Sequence, residues 1–214
     1  MSQFATLLGL TAGLGGIGAL CGIDGFLVEP NLLEVTRHEI PVPDLPESLD
    51  GYTIAQITDT HFGSERGAHR KTLDSIESLE PELVVCTGDL VETEQDLDEF
   101  IPYARELVEV SERIVGVLGN WEHRHGERVA RRIAGVYEDL GLQVLSNEAI
   151  SLESGIVVLG GDDPVTDRFD ASRLFDEIPP GDFHLFLVHS PTVFDSCTAS
   201  RKFDLSLAGH THGG

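Results

Sequence analysis

Five strand-length apolar runs in this chain each lead into a residue able to hold a metal ion. The runs are 53–58, 83–87, 114–118, 183–188 and 205–208. Behind them come Asp59 and His61, then Gly88-Asp89, then Gly119-Asn120, then His189, then His210 and His212. Helix-length segments with apolar residues on one face fill the gaps between the first runs, at 69–80, 95–111 and 127–140. Pro102 predicts an irregularity in the second of these, and Gly141 stops the third. Strand and helix in alternation build an α/β fold, and open α/β sheets gather their sites beyond the carboxyl ends of the strands. A single Gly-Asp or Gly-Asn after a strand is usually a turn. Five strand ends that together deliver Asp, His, Asp, Asn, His, His and His are not accounted for by turns.

After residue 141 the rhythm changes. Short apolar runs at 149–152 and 156–159, split by Glu153-Ser-Gly155, predict a β-hairpin. The sheet is therefore mixed, or there are two packed sheets. Asp162 and Asp163 also follow a strand and read as a turn or as part of a pocket wall. The segment 92–99 reads as a solvated acidic loop and helix start.

Two regions stand outside this pattern. Residues 4–23 carry no charge and are mostly Leu, Ala, Gly and Ile. About 20 such residues span a bilayer, and Gly9/Gly13 and Gly18/Gly22 have the spacing of close-packed membrane helices. The segment 1–24 is thus expected to be a membrane anchor, against a disordered or core-packed terminus. Six glycines weaken its helicity, and no basic residue precedes it to set an orientation. The protein is expected to be membrane-associated, and otherwise cytoplasmic. Residues 25–50 contain Pro30, Pro41, Pro43 and Pro46 and form a connector, with 35–40 as a short edge strand.

Charge narrows the partners. Asp and Glu number 37 against 14 Lys and Arg, for a net charge of −23. Such a surface repels nucleic acid, so no nucleic-acid partner is expected. Lys71 and Lys202 are the sole lysines, and an acidic, lysine-poor surface suits a salty cytoplasm. Cys21, Cys86 and Cys197 show no metal-binding or disulfide spacing and read as buried apolar side chains.

Gly209-His-Thr-His-Gly-Gly214 is the most telling motif, because two imidazoles amid small residues leave room for an ion and a substrate. Carboxylate, imidazole and amide donors without thiolate suit Mn, Fe or Zn. Seven donors exceed one ion's needs and match two ions sharing a carboxylate.

Taken together, Asp59-x-His61, Gly88-Asp89, Gly119-Asn120, His189 and Gly209-His-Thr-His212 resemble the calcineurin-like metallophosphoesterases over residues 51–214. The resemblance implies a four-layer α/β/β/α sandwich of two packed mixed sheets. It implies that Asp59, His61 and His212 hold one divalent ion, that Asn120, His189 and His210 hold the other, and that Asp89 bridges them. The reaction implied is hydrolysis of a phosphodiester, phosphomonoester or pyrophosphate bond by a hydroxide bridging the two metals. The apolar N-terminus and the run 49–63 resemble the membrane-associated branch, which includes UDP-2,3-diacylglucosamine pyrophosphohydrolase-like proteins. A phospholipid or nucleotide-linked lipid is the substrate that resemblance implies.

The chain departs from the family pattern in two places. At the third motif the family has Gly-Asn-His-Asp/Glu, whereas here it reads Gly119-Asn-Trp-Glu-His123. Trp121 has no titrating proton to give to a leaving group. His123 is the expected substitute general acid, against a solvated loop histidine. Relatives also run on past Gly-His-Thr-His-Gly-Gly with further strands, so a fragment or a shortened domain is expected. A membrane-tethered metal-binding module and a hydrolase of non-phosphate esters are the alternatives. Because the acidic surface repels itself, thermal unfolding is expected at higher temperature in about 2 M KCl than in about 0.1 M, where screening is weaker; equal or better stability at low salt would sink the salty-cytoplasm reading.

Overall fold

Each central strand is buried on both faces, and the alternation of its side chains sets the layers. The computed structural model describes residues 33–63, 69–198 and 202–212. The first sheet holds β1 (Ile54–Ile57), β2 (Leu83–Cys86), β3 (Ile114–Val117) and β4 (Gln143–Leu145), in that order and parallel throughout. The second holds β5 (Glu148–Ser151), β6 (Ile156–Gly160), β7 (Phe183–Val188) and β8 (Leu205–Ala208). There β5 is antiparallel to β6 and the remaining pairs are parallel, so the mixing is confined to this sheet. The helices are α1 (His69–Leu79), α2 (Leu97–Val110), α3 (Asn120–His123), α4 (Glu127–Asp139), α5 (Ala171–Phe175) and α6 (Phe194–Thr198).

Along β2, Val84 and Cys86 face one way and Leu83 and Val85 the other, as a period of two requires. Val84 and Cys86 join Leu73, Ile76, Phe100, Leu107 and Ile133 beneath α1, α2 and α4. Leu83 and Val85 meet Val158, Leu185 and Leu187 of the second sheet. The far face of that sheet buries Val157, Leu159, Phe186 and Val188 with Leu174, Phe175 and Cys197. Three cores therefore separate four layers, in the order α/β/β/α.

The expected hairpin is present, with Gly155 at φ +91° in its turn. The helix over 95–111 is a 3-10 turn (Glu94–Asp96) followed by α2, which runs on through Pro102. Four short elements went unforeseen: β4, α3, α5 and α6. The edge strand expected at 35–40 is corrected: the segment is irregular, and Val35 and Ile40 stay exposed and pair with no strand among the described residues. Part of the expected connector belongs to the body instead, since Leu49 is buried in the inter-sheet core with Val42 and Leu45 against it. The expected anchor at 4–23 and Cys21 lie outside the described residues. Among the described residues no helix is long and apolar enough to cross a membrane.

Phe186 is fully buried at the centre of the outer core, ringed by Phe169, Phe175, Phe194 and Phe203. Phe186→Ala should lower the free energy of unfolding by about 3–5 kcal/mol, the usual cost of a large aromatic deletion in a core. Urea denaturation measures it, and a loss below ~1 kcal/mol would show that this layer is loosely packed.

Candidate metal centre

All parallel strands of the two sheets end on the same side, and the loops after them are stitched to one another. The Asp59 N–H donates to the Gly88 carbonyl (3.0 Å), the His61 N–H to the Asp89 carbonyl (3.1 Å) and the Phe62 N–H to the Leu90 carbonyl (2.8 Å). The loops after β1 and β2 thus run side by side. Gln56 ties the sheets together just below, its amide donating to Thr87 Oγ1 (2.8 Å) and to the Ala208 carbonyl (2.9 Å). From across that seam the His210 N–H reaches the Asp59 carboxylate at 3.0 and 3.1 Å. Gly209 is needed there, because a Cβ would overlap Thr58 Oγ1 and the Asp59 carboxylate.

Two groups of donor atoms result: Asp59 with His61 and His212, and Asp89 with His189 and His210, the atoms of each group lying within 4.8 Å of one another. Asn120 joins the second, its Oδ1 3.0 Å from His189 Nε2. Asp89 Oδ2 lies 3.1 Å and His210 Nδ1 3.2 Å from that same nitrogen. In the first group His212 Nε2 stands 3.6 Å from Asp59 Oδ1, and the His61 and His212 rings are stacked at 5.2 Å. The structure thus brings together all seven residues that the strand-end pattern singled out.

The chemistry of these donors fits cations. His189 is fully buried, and its Nδ1 lies 2.8 Å from the Thr87 carbonyl, to which Nδ1–H donates. That leaves Nε2 facing a carboxylate oxygen, an amide oxygen and another imidazole nitrogen, a convergence of acceptors that calls for a positive charge. Burial opposes a charge on His189. The Asp89 carboxylate, the Thr87 carbonyl and Asp59 outweigh it and raise the pKa to about 9. Separations near 3 Å are also what donors sharing one ion at about 2.0–2.2 Å would show.

Backbone strain gathers at the same place. Asp59, His61, Asp89, His210 and His212 all have positive φ, between 43° and 71°. Non-glycine residues pay about 1–3 kcal/mol each for such conformations, which cluster at functional sites.

Glu122 is the support that the strand-end pattern did not single out. Its carboxylate is fully buried and accepts the backbone N–H groups of Asp89 (3.0 Å), Leu90 (2.7 Å), Val91 (3.3 Å) and Gly119 (2.9 Å), with Tyr137 Oη at 3.2 Å. Burial and the neighbouring Asp89 carboxylate push the Glu122 carboxyl up, while the N–H groups of Gly119 and Leu90 pull it down. A Cβ on Gly119 would strike the Asp89 carboxylate and backbone nitrogen, so the loops after β2 and β3 approach here as only glycine allows. The spacing Gly119-x-x-Glu122 carried the signal, because a carboxylate at that offset reaches back to the start of its own helix. Glu92, read as part of a solvated loop, lies with its carboxylate 3.4 Å from His61 Nδ1.

His123 is placed elsewhere. It is buried at the end of α3, with Nε2 2.7 Å from Asp162 Oδ1, and Asp162 also accepts Ser146 Oγ at 2.7 Å. Burial works against ionisation of Asp162, but these partners hold its pKa below the usual range. The His123 ring lines a cavity with Leu118, Glu127, Val144 and Arg168, and no residue of the seven lines it. His123, expected to swing toward the cluster, is here paired with Asp162. Asp163 closes a turn, accepting the N–H of Thr166 at 2.8 Å.

Residues 52–214 match the model of the calcineurin-like phosphoesterase family, and the chain belongs to that family. It is 29% identical to the uncharacterized metallophosphoesterase YkuE of Bacillus subtilis, over the whole of this chain and 78% of that protein. It is 25% identical to the UDP-2,3-diacylglucosamine pyrophosphatase LpxG of Chlamydia trachomatis, over 87% of this chain and 71% of that one. A transmembrane protein with metallophosphoesterase domain from Danio rerio is 24% identical over 92% of this chain and 48% of its own length. One solved structure superposes with a TM-score of 0.51 at 13% identity, covering 74% of this chain and 84% of its own, a likeness of fold alone.

Replacing Glu122 by Gln sets an NH2 group against backbone donors. At about 1–3 kcal/mol for each buried polar group left unmatched, Glu122→Gln should destabilise the fold by roughly that amount and weaken manganese binding. Urea denaturation and calorimetric metal titration test this, and wild-type values in both would remove Glu122 from its supporting role.

Proposed function

We propose that this protein is a hydrolase of phosphoric esters or anhydrides that works with two divalent ions. The observation that carries this reading is the pair of donor groups, Asp59–His61–His212 and Asp89–Asn120–His189–His210, meeting at one edge of both sheets. In this reading Asp89 is the shared carboxylate. One of its oxygens faces His189 while the other accepts the Trp121 N–H at 2.8 Å, which fixes the carboxylate plane. When bound, ions such as Mn, Zn or Fe would supply Lewis acidity toward the phosphoryl oxygens and a water of lowered pKa as nucleophile.

The chain's own residues do the positioning. Thr87 orients His189, the Asp59 carboxylate is gripped by the His210 N–H and by Thr58 Oγ1 (2.6 Å), and Glu92 backs His61. With His123 bound to Asp162, no side chain in this reading gives a proton to the leaving group. Turnover is then expected to favour good leaving groups, since general-acid help is typically worth about 10²–10⁴-fold. The likeness to LpxG supports a lipid-linked substrate, and residues 4–23 would bring the site to a membrane. Trp121 in the histidine position favours a second reading, a membrane-tethered metal-binding module with little catalysis.

Hydrolysis of bis-p-nitrophenyl phosphate separates the two. The expected result is manganese-dependent turnover, abolished by chelator and reduced at least ~100-fold in Asp89→Asn, the upper end of what losing a supporting residue alone costs. Two bound metals with no turnover would overturn the hydrolase reading in favour of the binding module.

A further inference from the structure

The second donor group is divided between the sheets: Asp89 and Asn120 follow β2 and β3, whereas His189 and His210 follow β7 and β8. Its size therefore depends on how the two sheets are held together at this edge. On one flank, Gln56 of β1 reaches the Ala208 carbonyl of β8. On the other, the sheets close up at the end of β6, where a Cβ on Gly160 would overlap the Leu145 side chain of β4. Two residues on from Gly160 stands Asp162, whose Oδ1 is 2.7 Å from His123 Nε2.

Asp162 is itself firmly set. Its Oδ2 accepts Ser146 Oγ–H at 2.7 Å, its Oδ1 also accepts the Asp163 N–H at 2.8 Å, and its own N–H donates to Asn147 Oδ1 at 3.1 Å. Asn147 in turn holds the Asp170 N–H (2.9 Å) and the Arg168 carbonyl (2.8 Å). Ser146 and Asn147 link β4 to β5, where the chain passes from one sheet to the other. His123 thus ends on a carboxylate that belongs to the junction of the sheets.

Helix α3 has four residues, and a single turn does not hold itself. Asn120 and His123, three apart, share a face. The first meets His189 after β7 and the second meets Asp162 after β6, and β6 and β7 are paired neighbours. Stability alone does not account for the His123–Asp162 pair. A buried charged pair is on balance worth little more than apolar side chains of the same volume. His123 Nδ1 is moreover buried with no hydrogen-bond partner among the described residues.

Resting on the two-ion reading above, we propose that His123 and Asp162 are positioning residues for the second donor group. The pair holds the end of α3 against the second sheet and so sets where Asn120 stands relative to His189. It acts through Asn120 and supplies no donor itself. Its loss would weaken the ion held by Asp89, Asn120, His189 and His210. The ion at Asp59, His61 and His212, a group that takes nothing from α3, would be spared.

Calorimetric manganese titration of the full chain tests this, with Asn120→Ala marking which of the two binding steps belongs to the second group. Asp162→Ala should weaken that step about tenfold or more, as losing an outer support of a metal ligand does, and leave the other unchanged. The double variant His123→Leu/Asp162→Ala, which leaves neither partner unmatched, should weaken the same step by no more than Asp162→Ala does, because the same contact is lost. Asp162→Asn, whose amide can still accept from His123 and donate to Ser146, should retain most of the affinity. Equal weakening of both steps, or of neither, would overturn this inference and leave the two-ion reading standing. If wild type binds fewer than two manganese ions, that reading falls with it.

Discussion

The carboxylate of Glu122 is the interaction on which the rest of the centre depends. Four backbone N–H groups from the loops after β2 and β3 end on its two oxygens, deep in the protein. An acceptor-only group with several lone-pair sites can satisfy donors converging from two loops, which no neutral side chain of that size can do. The price is a negative charge buried beside Asp89, so two carboxylates sit together in a region with little water. A cation held by Asp89 and its partners would offset this repulsion. The support and the ligand set are thus one electrostatic unit.

The same trade appears in the backbone. Five of the seven clustered residues occupy the left-handed region, and the stitching between neighbouring loops holds them there. Each local conformation is unfavourable, and the sheets beneath supply the packing that enforces them. Buried strands such as β2 and β7, lined on both faces, are stiff platforms. A site built at their ends gains precision from the cores rather than from its own contacts.

Much of this was legible in the residues. The strand-end pattern located the β1, β2, β3, β7 and β8 ends and the seven residues gathered there, because a buried parallel strand is a short apolar run whatever its tertiary context. The hairpin was legible from Gly155. What escaped was short or set by long-range contacts. Strand β4 has three residues and opens on exposed Gln143, too little for periodicity to register. The 35–40 run is apolar only at Val35 and Ile40 and meets no strand among the described residues. Glu92 looked solvated because nothing local shows that β1 carries His61 to it. His123 lay close to the cluster in sequence, yet Asp162, 39 residues further along, claims its ring.

The hydrogen bond from His210 to Asp59 spans 151 residues. The first donor group therefore draws on the loop after β1 and the loop after β8, with most of both sheets between them in sequence. During synthesis, Asp59 and His61 emerge long before His212 can join them, and no early subset has the full set of donors. An ion that binds only the finished arrangement stabilises it by mass action. An ion held there would thus favour chains in which the loops after β1 and β8 have already met.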